Sequence, residues 1–356
     1  MKILIDIGHP AHVHYFRNFI GIMQEKGHEF FVTARDKEVS HQLLNIYKIP
    51  FNNRGKGSKN IVGKIVYGFK ADIIVYMAAK HFKPDLFLSF ASPYAGQVAK
   101  FLGKPHISFT DTEHAKLGIM SFAPFSDCII TPNVFKRDFG SKHIYFRGNM
   151  ELSYLHPNYF SANKSIKSEL DLREDEPYSV LRFISWNANH DIGQSGIPNA
   201  NKLELVRRMK REMKVFISSE NCLPKELVNY QINISPEKIH DVLAYANLYI
   251  GEGSTMATES AIVGTPAIYV NSLKVGTTEA QQNYGLLFSY RNFDGVLSKL
   301  DELIKNPYLK LEFSMKREKM LKDQIDVTSF MVWFIENYPD SARIMKENPE
   351  FQERFK

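Results

Sequence analysis

The stretch "LYIGEGSTMATESAIVGTP", residues 248–266, decides the fold of this chain. An apolar run ends at Gly251 and Gly253, a short helical segment follows, and Gly264 and Pro266 close it ahead of "PAIYVN" (266–271). The order strand, tight turn, helix, strand is the unit from which parallel sheets are built. Glycine permits the close backbone approach that such a turn needs. Ser254 or Thr255 is the expected N-cap, and the free N–H groups and dipole of the first turn favour an anion there. Glu259 lies one turn further on, beyond capping range, and suits vicinal hydroxyls such as those of a ribose. A capped helix with an exposed glutamate is the alternative reading of the same residues.

Working outward, the same alternation continues in both directions. "KILIDI" (2–7), "EFFVTAR" (29–35), "DLFLSF" (85–90), "PHISFTD" (105–111) and "DCIITPN" (127–133) read as strands separated by amphipathic stretches. After a Gly-Asn turn and a Pro-containing connection at 145–160, a second series follows: "YSVLRFIS" (178–185), "KVFISS" (214–219), "YQINIS" (230–235) and the stretch quoted first. A chain of 356 residues exceeds what a single core usually organises. The expectation is an α/β protein of two Rossmann-like domains with parallel sheets facing an interdomain cleft. The first domain is expected at 1–150, joined by a C-terminal helix at about 325–356 whose Phe330, Met331, Phe334 and Ile335 form a packing stripe. The second is expected at 151–324. Ligands of such sheets bind outside the carboxyl ends of the strands. That rule points to His9–His14, Ser89–Tyr94, Asp111–His114 and Thr131–Asn133.

Composition narrows the class further. With 44% hydrophobic and 24% charged residues the chain reads as an ordinary soluble protein. No apolar run approaches the roughly 20 residues of a membrane span. The N-terminus lacks a signal peptide's apolar core, and two cysteines exclude a disulfide framework, so a cytoplasmic location is expected. The net charge of +6 favours anionic partners. No acidic residue falls between Val39 and Ala71, whereas Arg54, Lys56, Lys59, Lys64 and Lys70 do. That segment is expected to take an anionic acceptor, lipid-linked or phosphorylated, or to touch the inner face of a membrane. A solvated loop is its alternative. No finger, RNA-binding or helix-turn-helix signature is present, so nucleic acid is not an expected partner.

The Gly-Ser-Thr turn, Glu259 and the closing Gly-Thr-Pro resemble the nucleotide-sugar signature in the second domain of GT-B-type glycosyltransferases and the related UDP-sugar 2-epimerases. Across nearly its whole length, through "DIGHPAHVHYFRN", "FTDTEHA", "ISPEKIHDVLAYANLYIGEGSTMATESAIVGTPAIYV" and "QIDVTSFMVWFIENY", the chain resembles the archaeal and bacterial family called domain of unknown function 354. The resemblance implies a GT-B-like fold. It implies that Gly253, Ser254 and Thr255 face a diphosphate, that Glu259 holds the ribose, and that Ser235, Pro236, Glu237 and Lys238, with His240, border the base. The loop 185–196, including Ser185 and Asn187, is expected to add N–H groups to the phosphates. Glu252 departs from the pattern. A carboxylate beside a diphosphate repels it unless it points away or pairs with a cation.

The first domain is expected to supply chemistry. His9, His12 and His14 follow the first strand, but their spacing does not bring all three to one helical face, and no metal is expected there. A general base fits an imidazole better. Ala11-His12-Val13 resembles the Gly-His-Val register of some inverting GT-B transferases, which puts His12 ahead of His9 and His14; loop hydrogen bonding is the alternative role. Asp111, Glu113 and His114 end another strand, where Asp111 is either a proton-handling carboxylate or a helix N-cap. The expected function is metal- and cofactor-independent transfer of a sugar from a nucleotide-diphosphate sugar, a UDP-sugar first, to an acceptor hydroxyl. Either His12 or an Asp111/Glu113 carboxylate is the base. Epimerisation or hydrolysis of the donor itself, and binding without catalysis, are the alternatives.

Overall fold

The computed structural model describes residues 1–58, 60–185, 196–273 and 275–356; Lys59 and Asn187 lie outside the described residues. The chain divides into two compact units, 1–159 with 324–356, and 160–323.

In the first unit β1 (Lys2–Ile7) leads through α1 (Pro10–Glu25) to β2 (Glu29–Ala34), α2 (Ser40–Ile46), β3 (Phe51–Asn53) and α3 (Ile61–Phe82). It continues with β4 (Leu86–Phe90), α4 (Pro93–Phe101), β5 (His106–Phe109), α5 (Lys116–Phe122), β6 (Cys128–Pro132), β7 (His143–Phe146) and α6 (Leu152–Leu155). The strands form one parallel sheet in the order β3-β2-β1-β4-β5-β6-β7. Ile3, Leu4, Ile5 and Ile7 are all fully buried, because helices cover both faces of the sheet. The chain winds outward from β1 to β3, then resumes on the other side of β1. The β1/β4 boundary is therefore the point where strand order reverses.

The second unit runs α7 (Ile166–Glu169), β8 (Tyr178–Phe183), α8 (Asn199–Met209), β9 (Lys214–Ser219), α9 (Ile239–Tyr245), β10 (Leu248–Gly251), α10 (Ser254–Val263) and β11 (Ala267–Val270). α11 (Gly276–Asn283), β12 (Leu287–Tyr290), α12 (Val296–Lys305) and α13 (Leu309–Asp323) complete it. Its parallel sheet has the order β12-β11-β10-β8-β9, which reverses between β8 and β10. The two β-strand ends at that reversal are the ones that flank "GEGST".

The chain then returns to the first unit as α14 (Val327–Glu336) and α15 (Asp340–Glu347). Phe330, Met331, Phe334 and Ile335 are fully buried, and the Phe330 ring stacks on Phe146 of β7 at 6.1 Å. Residues 151–159 stay with this unit because the Ser153 carbonyl accepts hydrogen bonds from Asn18 Nδ2 (2.9 Å) and Thr328 Oγ1 (2.7 Å). Tyr159 and Asn158 likewise donate to Asp326 at the start of α14.

Two local expectations change. "YQINIS" (230–235) is not a strand: after a single bridge between Gln231 and Ile217 the chain turns into the 3-10 helix Pro236–Lys238. Its residues alternate between exposed and half-buried, so no second layer covers them and the ladder has nothing to extend against. β3 (FNN) and β12 (LFSY) are strands outside the expected series, both short edges of their sheets.

Candidate functional site

α10 begins at the carboxyl end of β10, at the reversal point of the second sheet. Its N-cap is Gly253 in extended conformation, and no side chain caps it. Ser254 and Thr255 are thus the first helical residues rather than the expected caps, and the opening turn presents its N–H groups with the positive end of the dipole. Gly264 ends the helix as predicted, in the left-handed region at φ +92° with its N–H returned to Ser260 and Ala261 carbonyls.

Glu259 is not an exposed glutamate on a capped helix. It is 6% exposed, and its Oε1 lies 3.0 Å from Nε2 of His240, itself 1% exposed, on α9. A buried carboxylate needs such a partner, and the partner fixes its rotamer. The His240 imidazole is thus turned toward Glu259.

Glu252, the residue out of pattern, points into the protein. It is fully buried, and its two oxygens accept Ile184 N–H (2.9 Å) and Ile197 N–H (2.7 Å). Lys202 Nζ stands 3.6 Å away. Burial raises its carboxyl above the ordinary value, against the pull of Lys202 and the two N–H groups. The carboxylate thus holds the segments on either side of 186–195 to the turn after β10. Asn271 Nδ2, bonded to the Glu252 carbonyl at 2.9 Å, ties the end of β11 to the same turn.

The neighbouring expected contacts are largely committed to protein partners. Ser185 N and Oγ both donate to Glu220 Oε2, at 3.0 and 2.9 Å. Ser235 donates to the Glu237 carboxylate, Pro236 opens the 3-10 helix, and Lys238 pairs with Glu169 at 2.5 Å. The structure therefore groups Gly253, Ser254, Thr255, Glu259 and His240 at one strand end, and gives Ser185, Glu237 and Lys238 other partners.

In the first unit the three histidines separate. His9 is the N-cap of α1, its Nδ1 accepting the Ala11 N–H at 3.2 Å. His14 is buried in packing, 5.2 Å from the Tyr154 ring and 3.4 Å from Arg17 Nη1. His12 sits between them, 4.8 Å from the Phe90 ring at the end of β4. Its Nδ1 accepts the Gly8 N–H at 3.3 Å, which leaves its proton on Nε2. Burial, with Lys37 and Arg54, lowers its pKa to about 3. At neutral pH His12 is thus an uncharged imidazole, and so low a pKa makes it a weak base.

Asp111 has the opposite bias. α5 starts at Lys116 with Ala115 as N-cap, so Asp111 caps nothing. Burial raises its carboxyl to about 6, against a hydrogen bond from Thr112 Oγ1 (3.0 Å) and with the Glu113 charge adding to the rise. Glu113 and His114 share its loop, after β5 and two strands from β1.

Arg54 requires a correction of another kind. It is 2% exposed, and its Nε lies 3.0 Å from Asp6 Oδ1 in the middle of the sheet. Tyr67 Oη accepts from its Nη1 at 2.9 Å, and the Tyr94 ring lies 4.6 Å from its guanidinium carbon. Thr33 and Ser92 donate to the same Asp6 carboxylate. Arg54 is thus a core cation and not an acceptor contact, whereas Lys56 is exposed and Lys64 lies on the exposed part of α3. The signal was present in "KILIDI": a lone carboxylate in a buried strand must find a cation or donors. Removing one partner leaves a buried charge, so Asp6→Asn is expected to cost about 3–5 kcal/mol in urea unfolding, with much of it regained in Asp6→Leu combined with Arg54→Met.

Among the described residues no group of three His, Cys, Asp or Glu is placed to hold a metal ion. No helix among them is long and apolar enough to cross a membrane.

Two doubly wound parallel sheets, each with a strand-to-helix turn at its reversal point, make this an α/β protein of the GT-B type. The S. aureus MnaA–UDP co-structure superposes with a TM-score of 0.70 over 96% of this chain and 97% of that one, at 14% identity. UDP-GlcNAc 2-epimerase from Neisseria meningitidis, bound to UDP-GlcNAc, gives 0.66 over 94% and 100% at 13% identity. The Streptomyces sp. SF2575 glycosyltransferase SsfS6 gives 0.61 over 95% and 100% at 14% identity. The chain belongs to the family described as "Protein of unknown function (DUF354)", whose model matches residues 1–338. It is similar to the uncharacterized protein MJ0665 of Methanocaldococcus jannaschii, 27% identical over 279 residues, or 75% of this chain and 81% of that one.

Proposed function

We propose that the second unit binds a nucleotide-diphosphate sugar and that the protein transfers the sugar to an acceptor hydroxyl. The observation that carries this reading is Glu259, buried and oriented by His240 one turn inside a helix whose N-terminus no side chain caps. The first turn of α10 suits the diphosphate, and the carboxylate suits the ribose hydroxyls. UDP and UDP-GlcNAc accompany the MnaA and N. meningitidis structures, which supports uracil as the base to try first.

In the first unit Asp111 is the proposed base, with a pKa near the working range of proton transfer. It takes the acceptor hydroxyl proton as the oxygen attacks the anomeric carbon. The bond from that carbon to the diphosphate breaks, and the helix terminus stabilises the departing anion. A second reading, in which the Asp111/Glu113 pair moves protons on the nucleotide sugar itself, is favoured by the proximity of the two carboxylates on one loop.

A melting-temperature panel of nucleoside diphosphates and nucleotide sugars tests binding, because a ligand of the native state raises the midpoint. UDP and UDP-sugars are expected to give the largest rise. Incubation with UDP-sugars alone then separates the reactions. An unchanged donor without acceptor supports transfer, whereas free UDP or an altered sugar supports the second reading. No rise with any nucleotide would sink both.

A further inference from the structure

α3 is built inside out on one side. Ala71, Val75, Ala78 and Ala79 bury one face against Leu4, Phe87 and Val98. The opposite face carries Val62, Ile65, Val66, Phe69, Ile73 and Met77, spaced three or four apart, and each is 56–72% exposed. A helix apolar on every side is normally enclosed, and soluble proteins seldom expose so long an unbroken stripe. Phe101 at the end of α4 extends it: that residue is 77% exposed, and its ring lies 5.7 Å from Tyr76 of α3.

Charge says what covers this stripe. Lys70 and Lys80 are exposed along the helix, and Lys56 precedes it. The single carboxylate of residues 61–82, Asp72, is half-buried near Arg54 and Asp6. Cationic side chains bordering an apolar helical stripe, with no exposed acid on the helix, match the interface of an anionic bilayer. A second copy meeting the same face would set lysine against lysine. We infer that α3 lies on a membrane surface carrying anionic lipid, with Val62, Ile65, Val66, Phe69, Ile73 and Met77 inserted among the acyl chains and Lys70 and Lys80 at the headgroups. This does not rest on the proposed reaction.

Flotation of the full chain tests it, with vesicles of phosphatidylcholine alone or with phosphatidylglycerol in equal parts. The chain is expected to float with the mixed vesicles, and weakly or not at all with phosphatidylcholine. High salt should lower the bound fraction. Phe69→Asp combined with Ile73→Asp should abolish flotation, and Lys70→Glu combined with Lys80→Glu should weaken it about tenfold or more. Circular dichroism and the nucleotide-induced melting shift should be unchanged in both variants, so that loss of fold is told apart from loss of lipid contact. The inference is overturned if the wild type stays with the soluble fraction or floats equally with both vesicles. It is overturned as well if the double variant Phe69→Asp, Ile73→Asp floats as strongly as the wild type. A dimer in sedimentation that this variant dissociates, with no vesicle binding, would assign the face to a second copy instead.

Discussion

Glu259→Ala is expected to remove most of the melting-temperature rise that UDP gives the wild-type chain. Hydrogen bonds to a charged group contribute about 1.5–3 kcal/mol, which corresponds to roughly 10- to 150-fold in affinity. The buried position sharpens the expectation. Glu259 is oriented by His240 before any ligand arrives, so the ligand meets a carboxylate whose rotamer freedom is already spent. Truncation also leaves His240 buried beside a void, so the apo protein should melt lower as well. Glu259→Gln separates the two effects. It keeps the shape and can still bond His240, so it should restore most of the apo stability while binding UDP more weakly than wild type. Equal UDP affinity in wild type and Glu259→Gln, measured by titration calorimetry, would remove the ribose role.

Asp111→Asn is expected to lower kcat by about 10²–10⁴-fold while leaving UDP affinity unchanged, because the proposed base and the proposed nucleotide site belong to different units. The pH profile makes this specific. A base must be ionised, and with a carboxyl raised to about 6 the wild-type rate should climb as pH passes through 6 and level above it. The Asn variant should lose that limb. Stability runs the other way. A folded pKa raised above the ordinary 3.8 means that this group's contribution is full below 3.8 and is lost as pH rises through about 6. Above pH 6 the Asn variant should therefore be at least as stable as the wild type, a pattern expected where a site sacrifices stability for function. A fall in stability together with activity would mark Asp111 as a packing residue. Retention of the acid limb in the variant would pass the titration to Glu113 or another group.

Much of the fold is legible in residue order alone. Buried parallel strands read as continuous apolar runs, and the helices between them read by their period and by glycines such as Gly264. Glu259 is visible too, since one helical turn separates it from a Gly-Ser-Thr start. The edge strands β3 and β12 are not, because runs of three and four residues are too short to show a strand period.

What the tertiary structure alone decides is the partner of each charge and the face of each helix. Arg54 reads as one more cation in a basic loop until the sheet order places β3 beside β2 and β2 beside β1, which brings it to Asp6. Glu252 reads as an intruder near a phosphate until Ile184, Ile197 and Lys202, about 50 positions away or more, turn it inward. Residue order leaves the tautomer of His12 open, and the Gly8 N–H on its Nδ1 sets it. Residues 61–70 read as part of a basic segment until α3 is found with its apolar outer face uncovered. Local pattern carries backbone period and turn geometry, which depend on neighbours in the chain. Protonation, pairing and exposure depend on contacts that close long loops, and those exist only once the strands have chosen their order.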